Sequence, residues 1–141
     1  MMKTNFLHSK GEKIQGPYVI IQAQHESDGW KRSMTFILDE NVYIKNRISE
    51  LLKYDFDPSL LEEIETFQKN AIKMDDLVRI LRNEIAELDK LLIREVWEDG
   101  LILKEIIKKV RNIRNNAEYA ETVFTKQRLT FNTYMSENIE S

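Results

Sequence analysis

The feature that most constrains this chain is a ladder of apolar residues between Pro58 and Glu98. Alternating steps of four and three residues lead from Leu60 through Ile64, Phe67, Ala71, Met74, Val78, Leu81, Ile85 and Leu88 to Leu92. On an α-helix this spacing falls on one stripe, so the segment is expected as a long helix lying against other helices. Its start is marked too. Asp57 can accept hydrogen bonds from the free N–H groups of a first turn, and Pro58 suits the first helical position. At ~1.5 Å per residue the rod would be about 60 Å long.

A second ladder runs through Trp30, Met34, Ile37, Asn41, Ile44, Ile48 and Leu51, and extends backwards to Ser27, Ala23 and Ile20. A third runs through Leu103, Ile106, Val110, Ile113, Ala117, Ala120, Phe124, Gln127, Phe131 and Tyr134. These stripes predict helices over about 17–54, 58–98 and 101–136. Tyr54 to Asp57 forms a first turn short enough to force antiparallel neighbours. Glu98-Asp99-Gly100 forms a second break, with Gly100 suited to a left-handed helix end. The expected fold is therefore all-α, an up-down-up bundle of three long antiparallel helices packed in coiled-coil fashion. It forms a single domain over 17–138, behind a flexible arm at 1–16 that follows neither period. There is no internal repeat beyond the heptad.

Residues 17–27 support two readings. Tyr18-Val19-Ile20-Ile21 is rich in β-branched and aromatic residues, and a hairpin could turn at Glu26-Ser27-Asp28-Gly29. The ladder favours helix instead, at a cost of ~1 kcal/mol for Gly29 in its interior. Ser27 to Gly29 is the place where the first helix could break or kink.

Punctuation agrees with helices. Four Gly and two Pro in 141 residues leave few sites for the turns a sheet protein requires. With 42% hydrophobic and 32% charged residues, the chain has material for one core and its cover. It has no cysteine, so disulfides, thiolate catalysis and Cys-bound zinc are excluded. No segment approaches the ~20 uninterrupted apolar residues of a membrane span, and no signal peptide is evident, so a cytoplasmic setting without membrane attachment is expected.

Chemistry is hard to place on this sequence. Phosphate-cradling glycine motifs and the nucleophile elbow are absent, and neither histidine, His8 or His25, has the Glu three residues earlier that a bundle dimetal site uses. No catalytic, cofactor or metal-ligand residues are assigned, and no cofactor or enzymatic activity is expected. His25 is the candidate phosphoacceptor, with Gly29 one turn on leaving room for a signalling partner. The spacing is faintly similar to histidine phosphotransfer domains, although Asp28 stands where that family places a lysine and would oppose a phosphate.

Lys104, Lys108, Lys109, Arg111 and Arg114 form the one basic cluster, opposed locally only by Glu105. They could bind an anion or an acidic partner. Residues 58–99, the middle helix and its end, carry eleven acids against six bases, so charge matching with that helix is the simpler account of the cluster. A formal charge of −3 and the lack of interleaved aromatics argue against nucleic acid. Asn41 and Gln127 interrupt apolar ladders, either as register-fixing groups or as bundle-edge residues.

The apolar stripes are broader than one pair of helices needs. Phe36, Val42 and Tyr43 flank the first, Ile72, Ile80, Ala86 and Ile93 the second, and Ile102, Ile107 and Val123 the third. This surplus predicts a non-enzymatic interaction or scaffold protein that self-associates, a dimer being favoured, and binds an unidentified protein partner. The second expectation, from a different class, is a phosphorelay bundle centred on His25.

Overall fold

The computed structural model describes residues 9–54, 57–93 and 100–139, with side chains from Gly16 onward. The chain is all-α. Helix α1 spans Ser9–Lys53, a single 3-10 turn spans Pro58–Leu60, α2 spans Leu61–Leu92 and α3 spans Gly100–Asn138. The helices pack on one another through the stripes read from the sequence.

Contacts divide the chain into two compact units, each taking a segment from all three helices. The first holds α1 up to Arg32 with residues 81–116. Its core is built by Ile20, Ala23 and Trp30 on α1, Leu81, Ile85, Leu88 and Leu92 on α2, and Leu103, Ile106, Val110 and Ile113 on α3. The second unit holds residues 33–80 and 117 onward. Met34, Ile37, Ile44 and Ile48 there meet Ile64, Ala71, Met74 and Val78, with Ala117, Ala120, Phe124, Phe131 and Met135 from α3. Short connections set direction. The chain turns back between Lys53 and Pro58 in the second unit and between Leu92 and Gly100 in the first.

The 3-10 turn shows the expected cap. The Asp57 side chain accepts from the Ser59 N–H at 3.0 Å, Pro58 follows it, and the helix proper then opens at Leu61. That hydrogen bond holds the Asp57 carboxyl below the usual aspartate range. In the second unit Phe67 stands edge-on to Phe131 and Tyr134, with both ring centroids 5.3 Å away.

Four expectations are corrected. Helix α1 is unbroken across Ser27 to Gly29, because Ser27 is buried in the seam and anchored, and a Cβ at Gly29 would meet only the Arg32 guanidinium at 3.8 Å. The strand reading for 17–27 falls with it, since the whole segment is helical. Helix α1 also starts at Ser9 rather than at Pro17. Pro17 lies inside the helix, where its missing N–H removes one backbone bond near the helix start. Gly100 opens α3 instead of ending α2, and among the described residues no glycine has a positive φ. Residues 1–8 of the expected arm, the tip of the first turn at 55–56 and the expected end of the second helix at 94–99 lie outside the described residues.

Candidate interaction surface

Two polar layers interrupt the apolar core, one in each unit. In the first unit the buried Ser27 hydroxyl donates to Asp89 Oδ1 at 2.7 Å, and Lys31 Nζ pairs with Asp89 Oδ2 at 2.6 Å. This bond to Asp89, more than the neighbouring charge of Asp28, pushes the Lys31 ammonium above its ordinary range. In the second unit the buried Asn41 amide donates to the Ala71 carbonyl at 2.8 Å and to Asp75 Oδ1 at 2.7 Å, while Lys45 pairs with Asp75 Oδ2. Asn41 thus takes the internal role considered for it, whereas Gln127 is only half-buried at the edge of its stripe.

Each layer is accompanied by a bridge from α1 to α3. Arg114 grips Glu26 with two bonds, Nε to Oε2 at 2.7 Å and Nη2 to Oε1 at 2.6 Å. Arg128 Nη2 reaches Glu40 Oε1 at 2.7 Å, and its guanidinium lies over the Phe36 ring, 5.5 Å from the centroid. The Arg114 bonds outweigh partial burial and hold the Glu26 carboxyl below the usual glutamate range. Glu26, Ser27, Lys31 and Arg114 recur as Glu40, Asn41, Lys45 and Arg128 two heptads further on, and Asp89 recurs as Asp75 two heptads earlier. This recurrence was a signal available in the sequence, hidden because it spans three segments and substitutes Ser for Asn.

The basic cluster does not act as one patch. Lys109 turns to α2, where it pairs with Glu87 at 3.6 Å, as the acid surplus of that helix led one to expect. Arg114 is engaged by Glu26 on α1, a partner the charge count did not indicate. Lys104, Lys108 and Arg111 are exposed and form no ion pair with a described residue.

Arg111 also lines a groove of about 430 Å³ between α1 and α3 of the first unit. Its floor is Ala23 and Val110, its rims are Tyr18 and Ile107, and the Glu26–Arg114 bridge closes one end. Tyr18 is 70% exposed and Ile107 is 43% exposed. Lys104 lies seven residues before Arg111, on the same stripe of α3, whereas Lys108 lies further round the helix, away from the groove.

His25 is exposed on α1, outside this groove. Gly29 lies one turn on, where an added Cβ would meet the flexible Arg32 guanidinium at 3.8 Å, an ordinary contact distance. Among the described residues no group of three acidic or histidine side chains is placed to hold a metal ion, and no helix is long and apolar enough to cross a membrane.

These features define an all-α, three-helix protein. No protein-family model, curated protein or solved structure matches the chain.

Proposed function

We propose that the protein is a non-enzymatic interaction module that self-associates and binds other proteins through the outer faces of its helices. The observation that carries this reading is the fate of the broad stripes. In the second unit the seam residues are covered, yet Phe36, Tyr43, Ile72 and Ile80, which flank the seams, are each a little over half exposed. Side chains of this kind contribute about 25 cal/mol per Å² when removed from water, so leaving them half exposed favours a covering partner. Arg128 already shields one face of Phe36, which fixes that ring in place without burying it. A fixed aromatic ring loses little further rotamer freedom on docking.

A phosphoacceptor at His25 has less support. An exposed histidine is available for transfer, but Asp28 lies one turn away and would repel the incoming phosphate. Nucleic-acid binding through the basic cluster has less still, because two of its five cations are engaged by carboxylates within the first unit.

Sedimentation velocity over a wide concentration range tests the proposal. The natural chain is expected to self-associate, and Ile72→Glu with Ile80→Glu to shift it toward monomer while leaving helicity by circular dichroism unchanged. A natural chain that sediments as a monomer at the highest attainable concentration overturns the self-association.

A further inference from the structure

The groove between α1 and α3 of the first unit differs chemically from the apolar faces of the second unit. Its floor and rims are apolar, but α3 brings the exposed Arg111 to one side, with no carboxylate partner among the described residues, and Lys104 stands one heptad earlier on the same stripe of that helix. Among the described residues that line it the one acid is Glu26, which is engaged by the two bonds from Arg114. An occupant must therefore match apolar groups along the middle and supply negative charge along one edge.

We propose that this groove is the docking site for an acidic amphipathic helix of a different protein. The dimensions fit. The described lining residues on α1 run from Tyr18 to Glu26, eight residues and about 12 Å, which gives room for at least two turns of a docked helix with anchors at i, i+3 or i+4, and i+7. Carboxylates on the flank of that helix reach Arg111 and Lys104, and the apolar anchors settle on Ala23 and Val110 between Tyr18 and Ile107. A second copy of this chain, docked groove to groove by a two-fold axis, would place each cationic rim near its own equivalent and gain no acid in exchange. A flat anionic membrane meets the rims and leaves the floor uncovered, since the site is concave. This proposal rests on the interaction-module reading above, and names the partner for one of its faces.

The test uses the full chain and a fluorescently labelled helical peptide of about 20 residues, long enough to be helical in isolation, with leucines at i, i+3 and i+7 spacing and glutamates beside them. Fluorescence anisotropy is expected to show saturable binding that weakens with added salt. A peptide with lysines in place of the glutamates is expected to bind at least ~10-fold more weakly, the equivalent of about 1.4 kcal/mol. Arg111→Glu, an exposed position that should not disturb folding, is expected to reverse this preference. Ile107→Glu should abolish binding of both peptides, with circular dichroism confirming that it is folded. Equal binding of the two peptides, no binding of the acidic peptide, or transfer of the chain to anionic phospholipid vesicles without peptide binding each overturns the proposal. The two ideas separate cleanly. Ile107→Glu is expected to leave sedimentation unchanged, whereas loss of self-association in that variant would make the groove an interface between copies and overturn the acidic-helix assignment. A monomeric natural chain that still binds the acidic peptide would remove self-association alone.

Discussion

Glu26 is the side chain at which protonation and folding are coupled most directly. Its two bonds from Arg114 lower its folded pKa, so the bridge stabilises the fold fully above glutamate's ordinary value near 4.3, and that contribution is lost as pH falls through the lower folded value. Arg114 is nearly half exposed, which limits the interaction to roughly 0.5–1 kcal/mol after solvent screening. Arg114→Gln is therefore expected to lower stability by about that amount at neutral pH. The deficit should shrink in urea titrations as the pH is lowered through the folded Glu26 value, since the carboxylate is then protonated in both proteins. Lys31 has the opposite sign: its raised pKa means that its bond to Asp89 supports the fold at neutral pH and is lost only as pH climbs through the folded value, above the ordinary lysine range. Bridges of this kind could not be read from composition. The acid surplus of the middle helix was visible and pointed the cluster toward α2, where Lys109 finds Glu87, but the partner of Arg114 depends on which α1 residue lies opposite it, and that is settled by packing.

The helices were the legible part, because a stripe repeated every three or four residues is a local property that burial then enforces. Seam positions from Ile20 to Ile48, from Ile64 to Leu92 and from Leu103 to Phe131 are buried almost without exception, and the departures are informative: Leu51, Phe67 and Gln127 lie only half-buried. Helix ends were less legible, since Pro17 and Gly100 are residues that can either stop a helix or be carried by one. Tertiary burial of neighbouring turns decided both. Gly29 illustrates the same competition at the middle of α1. It has helical backbone with no positive φ, and a Cβ there would make ordinary contact with Arg32 and nothing closer. Its glycine therefore costs conformational entropy without relieving a clash. Gly29→Ala is expected to raise stability by about 0.5–1 kcal/mol, measured as a higher urea midpoint with an unchanged slope. A loss of stability would mean that the bare backbone at this turn serves a contact with another molecule.

At the scale of the whole chain, the two polar layers say how the three ladders find their pairing. Apolar stripes with heptad spacing are nearly self-similar, so a slip of seven residues between α1 and α2 would still oppose greasy side chains to one another. Such a slip would take Ser27 and Asn41 away from the carboxylates that accept from them. Displaced by one heptad in one direction, Ser27 would face Arg82 and Asn41 would face Gln68; displaced in the other, Asn41 would face Arg82. A hydrogen bond to a charged acceptor contributes about 1.5–3 kcal/mol, and an arginine brought against a buried seam without a carboxylate is costly, so the slipped pairings are disfavoured. The same groups add little to the stability of the correct pairing, because an apolar residue of similar size gains burial that offsets the lost bonds. The layers therefore act on specificity. In a double variant, Ser27→Val with Asn41→Leu, Asp89 and Asp75 keep their lysine partners and the urea midpoint is expected to hold or rise. The transition should broaden, with a lower slope, and sedimentation should resolve more species than the natural chain gives. A single species with the natural slope would show that the ladders choose their pairing without the polar layers, through side-chain shape alone.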